Sequence, residues 1–261
     1  MMENIIGYVK KWGKYTFSVK PFNDVDSLVL CQLVYLNYEK YVPAPCQGKE
    51  PVDIQSILED PEWEQILEGY WYKEHNKELF ELAAKSLRFG RMKMNDYVNV
   101  IDEDQQAQFS AMCYFLEDGK IYIAYRGTDA TIVGWKEDLN LAFSKPLKSQ
   151  YLAVEYMERA AGKAADASCP GLYAGGHSKG GNLAVYGAMN CSDETRGKLI
   201  RIFNHDGPGF RPEIKAQGNF HAITERTIKF IPRSSLVGMI LEEESDYEVI
   251  ESWGIGLFQH N

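Results

Sequence analysis

The chain has 261 residues, 45% of them apolar and 25% charged, an ordinary globular composition and enough length to bury a full core without staples. A formal net charge of -9 argues against a nucleic-acid partner, because phosphate-backbone binders carry a basic footprint. It argues equally against an electrostatic pull toward anionic lipid, and with no apolar run of about 18 residues a membrane-spanning helix is not expected.

The opening stretch, MMENIIGYVKKWGKYTF, is charged and aromatic and lacks the apolar core and cleavage site of a signal peptide. Residues 21–42 read as a helix entered through Pro21 and Asn23-Asp24, with Val25, Leu28, Leu30, Cys31, Leu33, Val34 and Leu36 on one broad apolar face. Residues 43–60 hold Pro43, Pro45, Gly48 and Pro51, which is loop chemistry. Residues 61–90 read as amphipathic helix, and 43–90 together are expected to form a helical cap or lid that carries Trp63, Trp71 and Tyr72. After residue 92 the pattern changes. Residues 108–116 and 120–126 are apolar strand-like runs around a Glu117-Asp118-Gly119 hairpin turn. A helix over 150–165, a strand over 169–177, a helix over 179–190 and strands over 198–205, 226–232 and 247–252 follow. Strands alternating with helices predict one α/β domain over 1–261, with a mostly parallel sheet and helices on both faces. The five cysteines (Cys31, Cys46, Cys113, Cys169, Cys191) are odd in number and lack metal-ligand spacing, so they read as reduced thiols of a cytoplasmic protein.

Chemistry concentrates at Gly176-His177-Ser178-Lys179-Gly180, which is G-x-S-x-G. In that pattern a serine sits on a strained turn between strand and helix, its hydroxyl lifted clear of the sheet, with glycine where a side chain would strike the neighbouring backbone. Apolar residues before it and Asn182-Leu-Ala-Val-Tyr-Gly-Ala after it supply the strand and the helix. A phosphate loop does not fit, because Lys179 follows the serine instead of preceding it.

GHSKGGNLA at 176–184, YRGTD at 125–129 and W-K-E-D-L-N at 135–140 together resemble class 3 lipases of the α/β-hydrolase fold. Asn204-His-Asp-Gly-Pro-Gly-Phe210, Ser234-Ser-Leu-Val-Gly-Met239 and Gln259-His260 are similar to an uncharacterised bacterial family of lipase-like hydrolases. The resemblance implies Ser178 as nucleophile, backbone N–H groups of Thr128 and Lys179 as the oxyanion hole, and Asp138 as a brace for the loop after 128. It implies an ester of a fatty or other small acyl chain as substrate, with no metal or cofactor. In this fold the acid and the histidine follow the serine in the chain. His205 adjoins Asp206 on a strand and should face the other side, which leaves His221 and His260. The resemblance favours His260. Asp206, at a strand end before Gly-Pro-Gly, leads as the acid. The position one strand later, where class 3 lipases carry theirs, reads Arg233-Ser234-Ser235 and has no carboxylate. A non-catalytic scaffold and an acyltransferase using the same residues are the rival readings.

Overall fold

A computed structural model describes residues 4–69, 72–102, 104, 107–128, 146–166, 169–241 and 246–251. Helices α1 (Ile5–Trp12) and α2 (Asp24–Leu33) lead into a short strand β1 (Val52–Asp53), α3 (Ile54–Leu58), a 3-10 turn over Trp63–Leu67 and α4 (Lys73–Lys85). Strands β2 (Lys93–Asp102), β3 (Ala107–Phe115) and β4 (Ile121–Tyr125) follow, then α5 (Lys148–Asp166), β5 (Leu172–His177), α6 (Lys179–Asn190) and α7 (Asp193–Lys198). The chain continues through β6 (Leu199–His205), α8 (Pro212–Gln217), α9 (Phe220–Ile223), β7 (Thr227–Pro232) and β8 (Glu248–Ile250). All eight strands form one sheet in the order β1 to β8. Pairing is antiparallel from β1 to β4 and parallel from β4 to β8.

The period of two along the strands divides the core. Ala111, Cys113, Ile121, Ile123, Ala174 and Ile202 face α5 and α6. Met94, Met112, Tyr114, Tyr122, Ala124 and Phe203 face the N-terminal helices. Residues 43–90 belong to that second layer and do not stand as a separate cap. Ile54, Ile57, Ile66, Leu67, Leu79, Phe80, Ala83 and Ala84 are buried in the same core as α1, α2 and the β2–β4 face, and Trp63 stacks on Phe80 at 5.1 Å between ring centroids. The sheet face opposite α6 is apolar and must be covered, and the amphipathic helices of this segment cover it. Trp71 lies outside the described residues, and Tyr72 is exposed.

Helix α2 starts where the sequence predicts, at a capping box in which Asn23 and Asp26 exchange side-chain and backbone hydrogen bonds. It stops at Leu33, and the remaining apolar residues to Leu36 pack from irregular turns. Strand β2 is absent from the sequence reading. It alternates poorly because its register slips between Asn95 and Val98, with Asp96 at φ 60. That irregularity is held by Tyr156, whose hydroxyl donates to the Asp96 carbonyl at 2.8 Å, and by Lys163, which pairs with the Asp96 carboxylate at 2.6 Å. All five cysteines are free thiols, and burial pushes Cys31 and Cys113 up to about 12.

One ion pair joins three N-terminal segments. Arg88 donates Nε–H to Asp26 Oδ1 at 2.6 Å and Nη2–H to Oδ2 at 2.5 Å, both side chains being fully buried. Its remaining donors reach the carbonyls of Lys20 and Pro21, and Tyr8 donates to Asp26 Oδ1. A buried charge is tolerated only while its partner is present. Asp26→Ala is therefore expected to cost about 3–5 kcal/mol of stability by urea unfolding. A loss below about 1 kcal/mol would show that the pair does not anchor this layer.

Candidate active site

Strand β5 ends at His177 and α6 starts at Lys179, so one residue, Ser178, makes the whole turn. It does so at φ 56, ψ -132, a region that costs a non-glycine residue about 1–3 kcal/mol. The surroundings enforce that shape. Ser178 N–H donates to the His205 carbonyl at 2.9 Å, and its own carbonyl accepts from Gly181 N–H at 2.9 Å. The turn is tight enough that a Cβ on Gly176 would lie 2.1 Å from the Gly180 carbonyl carbon. A Cβ on Gly180 would lie 2.2 Å from the Tyr125 carbonyl oxygen. Both glycines of the motif are thus required by backbone contact.

Sheet register then decides what flanks the serine. Tyr125 pairs with Gly176, and His177 pairs with His205. Continuing that register, Gly127, two residues past Tyr125, falls on one side of Ser178, and Asp206, one past His205, on the other. A Cβ on Gly127 would lie 2.6 Å from the His177 carbonyl, and one on Gly207 would lie 2.7 Å from the Ser178 carbonyl. Thr128 follows Gly127 and is half-buried. Lys179 buries its side chain beneath the first turn of α6 and donates Nζ–H to the Gln108 carbonyl at 2.9 Å. A basic residue beside Ser178 therefore presents its backbone at the turn and sends its ammonium to β3.

Asp206 is buried, at φ 57, and its N–H donates to the Phe230 carbonyl at 2.8 Å. Its Oδ1 accepts from Ser235 Oγ at 2.6 Å. Residues 204–210 are braced from α6. Asn182 Nδ2 donates to the carbonyls of Pro208 and Gly209 at 3.1 and 3.2 Å, and Gln150 donates to Asn182 Oδ1 at 2.8 Å. Asn204 Oδ1 accepts from Gly207 N–H at 2.8 Å. Ser235, Asn182 and Gln150 are the contributors that the sequence reading misses. For Ser235 the signal is the strand end at 233–235 itself, which carries hydroxyls and no carboxylate.

The histidines separate by location. His205 points into the opposite layer, where Nε2 lies 2.8 Å from Ser27 Oγ and the ring stacks on Phe230 at 5.5 Å. His177 turns toward the segment just after α2, with Nδ1 3.3 Å from Tyr35 Oη. His75 is exposed on α4. His221 is exposed on α9, next to the C-terminal end of α6, where Asn219 N–H donates to the Met189 carbonyl at 2.9 Å. Helix α6 has 12 residues, about 18 Å at 1.5 Å per residue, so His221 sits at the far end of that helix from Ser178. His260, Asp129 and Asp138 lie outside the described residues.

A serine on a positive-φ turn between a parallel strand and a helix, in a sheet with helices on both faces, defines an α/β-hydrolase fold. The chain belongs to the Mbeg1-like family, which it matches over residues 83–261. Among solved structures, the native Rhizomucor miehei lipase propeptide complex is 18% identical, over 56% of this chain and 51% of its own, with a TM-score of 0.43. The chain thus spans about half the length of that lipase. Lipase II from Rhizopus niveus is 13% identical over 62% of this chain and 63% of its own, with a TM-score of 0.42. A mutant of MDLA from Penicillium cyclopium is 11% identical over 89% and 81%, with a TM-score of 0.49. No curated protein matches the chain. Among the described residues no helix is long and apolar enough to cross a membrane.

Burial pushes the His205 imidazole down to about 3, so it is neutral in the folded protein at neutral pH. The unfolded chain takes up that proton near pH 6.5, and the folded one does so only near 3. The stability that depends on a neutral His205 is therefore complete above pH 6.5 and is lost as pH falls toward 3. Between pH 8 and pH 5 this group should remove about 2 kcal/mol of unfolding free energy. His205→Gln should flatten that slope in urea titrations at the two pH values. An unchanged slope would mean that another group sets the acid sensitivity.

Proposed function

We propose that the protein is a serine esterase that cleaves carboxylic esters of fatty or other small acyl groups through an acyl-enzyme. The observation that carries this reading is the backbone of Ser178, held at φ 56 between strand and helix, with the buried Asp206 next to the residue that accepts its N–H. A serine hydroxyl is a weak nucleophile until a neighbouring base takes its proton. In this reading Ser178 Oγ attacks the carbonyl carbon, and His260 accepts the hydroxyl proton. Asp206 orients the imidazole, and backbone N–H groups of Thr128 and Lys179 hold the oxyanion. As the C–O bond to the alcohol breaks, His260 returns the proton to the leaving oxygen. Water, deprotonated by the same histidine, then releases the acid and restores Ser178. The chemistry needs no metal or cofactor, and the reaction would take place in the cytoplasm on a small-molecule or lipid ester.

A fluorophosphonate, which reacts only with an activated serine, should label the protein at Ser178. Ser178→Ala should abolish both labelling and hydrolysis of short p-nitrophenyl esters while leaving the fold intact. His260→Ala should be about as severe, because the triad acts as a unit. Asp206→Asn should lose on the order of 10⁴ in kcat, because it stabilises the wrong tautomer. His221→Ala should have little effect. An unlabelled wild type would favour the scaffold reading. Labelling combined with acyl transfer to added alcohols or amines in preference to water would favour the acyltransferase.

A further inference from the structure

The carboxylate of Asp206 is held from a second loop, residues 233–241 between β7 and β8. Ser235 Oγ lies 2.6 Å from Asp206 Oδ1, and both residues are buried. The direction of that bond follows from chemistry. Gly238 N–H donates to Ser235 Oγ at 3.0 Å, so the serine oxygen is already an acceptor there. An ionised carboxylate can only accept, and the Ser235 proton therefore points to Asp206. Gly238 packs its bare Cα against the same carboxylate, where a Cβ would lie 2.2 Å from Oδ1.

The loop is itself fastened. Buried Lys229 donates Nζ–H to the Gly238 carbonyl at 2.7 Å, a charge-assisted bond. Gly209, in the Asp206 loop, donates its N–H to the Ile240 carbonyl at 2.8 Å, and Ser235 N–H donates to the Pro232 carbonyl at 2.9 Å. A path of three hydrogen bonds therefore runs from Lys229 through Gly238 and Ser235 to Asp206.

We infer that Ser235 is a positioning residue for ester cleavage: by holding Asp206 Oδ1 it fixes the carboxylate rotor and so sets the direction in which Oδ2 meets the imidazole. This rests on the reading of Asp206 as the orienting acid. A terminal carboxylate torsion is broad and roughly two-fold, so one strong bond to one oxygen decides where the other points. The effect reaches the chemistry only through Asp206, and it should therefore appear in kcat more than in KM.

The test compares wild type, S235A and S235C on a short p-nitrophenyl ester, with fluorophosphonate labelling and thermal unfolding run in parallel. S235A removes the donor. S235C keeps a donor, a weak S–H on a larger atom, and it carries the test if S235A does not fold. The expected result is a fall in kcat of about ten- to a hundredfold in S235A and a smaller fall in S235C, with KM within about twofold of wild type. A purely structural serine would lower the unfolding temperature without ordering kcat by donor strength. Variants whose kcat stays within about twofold of wild type overturn the assignment of Ser235 while leaving the hydrolase reading intact. So does a change confined to KM. A wild type that neither labels nor hydrolyses removes the hydrolase reading, and the role of Ser235 goes with it.

Discussion

The backbone around Ser178 is packed so closely that glycine is required at several of its contacts. The carbonyl of Tyr125 lies against Gly180, the carbonyl carbon of Gly180 against Gly176, and the carbonyl of Ser178 against Gly207. A turn compressed in this way leaves residue 178 in the positive-φ region, at a cost the rest of the fold must meet. The bond from Ser178 N–H to the His205 carbonyl is the link that carries that demand across the sheet. Because of it, the end of β6 cannot move without moving the turn, and Asp206 is the next residue. The arrangement of the candidate site is therefore a consequence of how the turn is made.

Each face of the sheet contributes a polar anchor to this region. On the α2 side, His205 reaches Ser27, and Ser27 also lies 2.6 Å from Tyr122 Oη. On the α6 side, Gln150, Asn182 and the carbonyls of Pro208 and Gly209 form a connected set. Buried polar groups are costly unless satisfied, and satisfied sets rigidify what they join. Here both sets end on residues 204–209, the segment that carries Asp206. The N-terminal layer has its own anchor in Asp26 and Arg88, one residue from Ser27, so the same helix that closes the ion pair also holds the end of β6.

Much of this was legible in the sequence. Gly176, Ser178 and Gly180 identify the turn because only glycine tolerates those approaches, and the helix over 179–190 is found where its apolar pattern begins. The turn at Asp206 was legible because a strand pattern ends there before Gly-Pro-Gly, which is local information. Asn23 with Asp26 marks the start of α2 for the same reason. Strand β2 was not legible, since a register slip at Asn95–Val98 breaks the alternation that identifies a strand. The surface that receives 43–90 was not legible either, because an amphipathic helix shows that it buries one face but not against what.

The sequence by itself determined the fold class, the strained serine and the turn that bears Asp206, because each is written in glycine placement and in the periods of neighbouring residues. Only the tertiary structure decided that Ser235 donates to a carboxylate 29 positions away and that Lys179 sends its ammonium to Gln108. It also decided that His221 lies by the end of α6 remote from Ser178. The physical reason is the same in each case. A hydrogen bond between side chains distant in the chain depends on strand register and on which face each residue takes, and neither is set until the sheet has assembled.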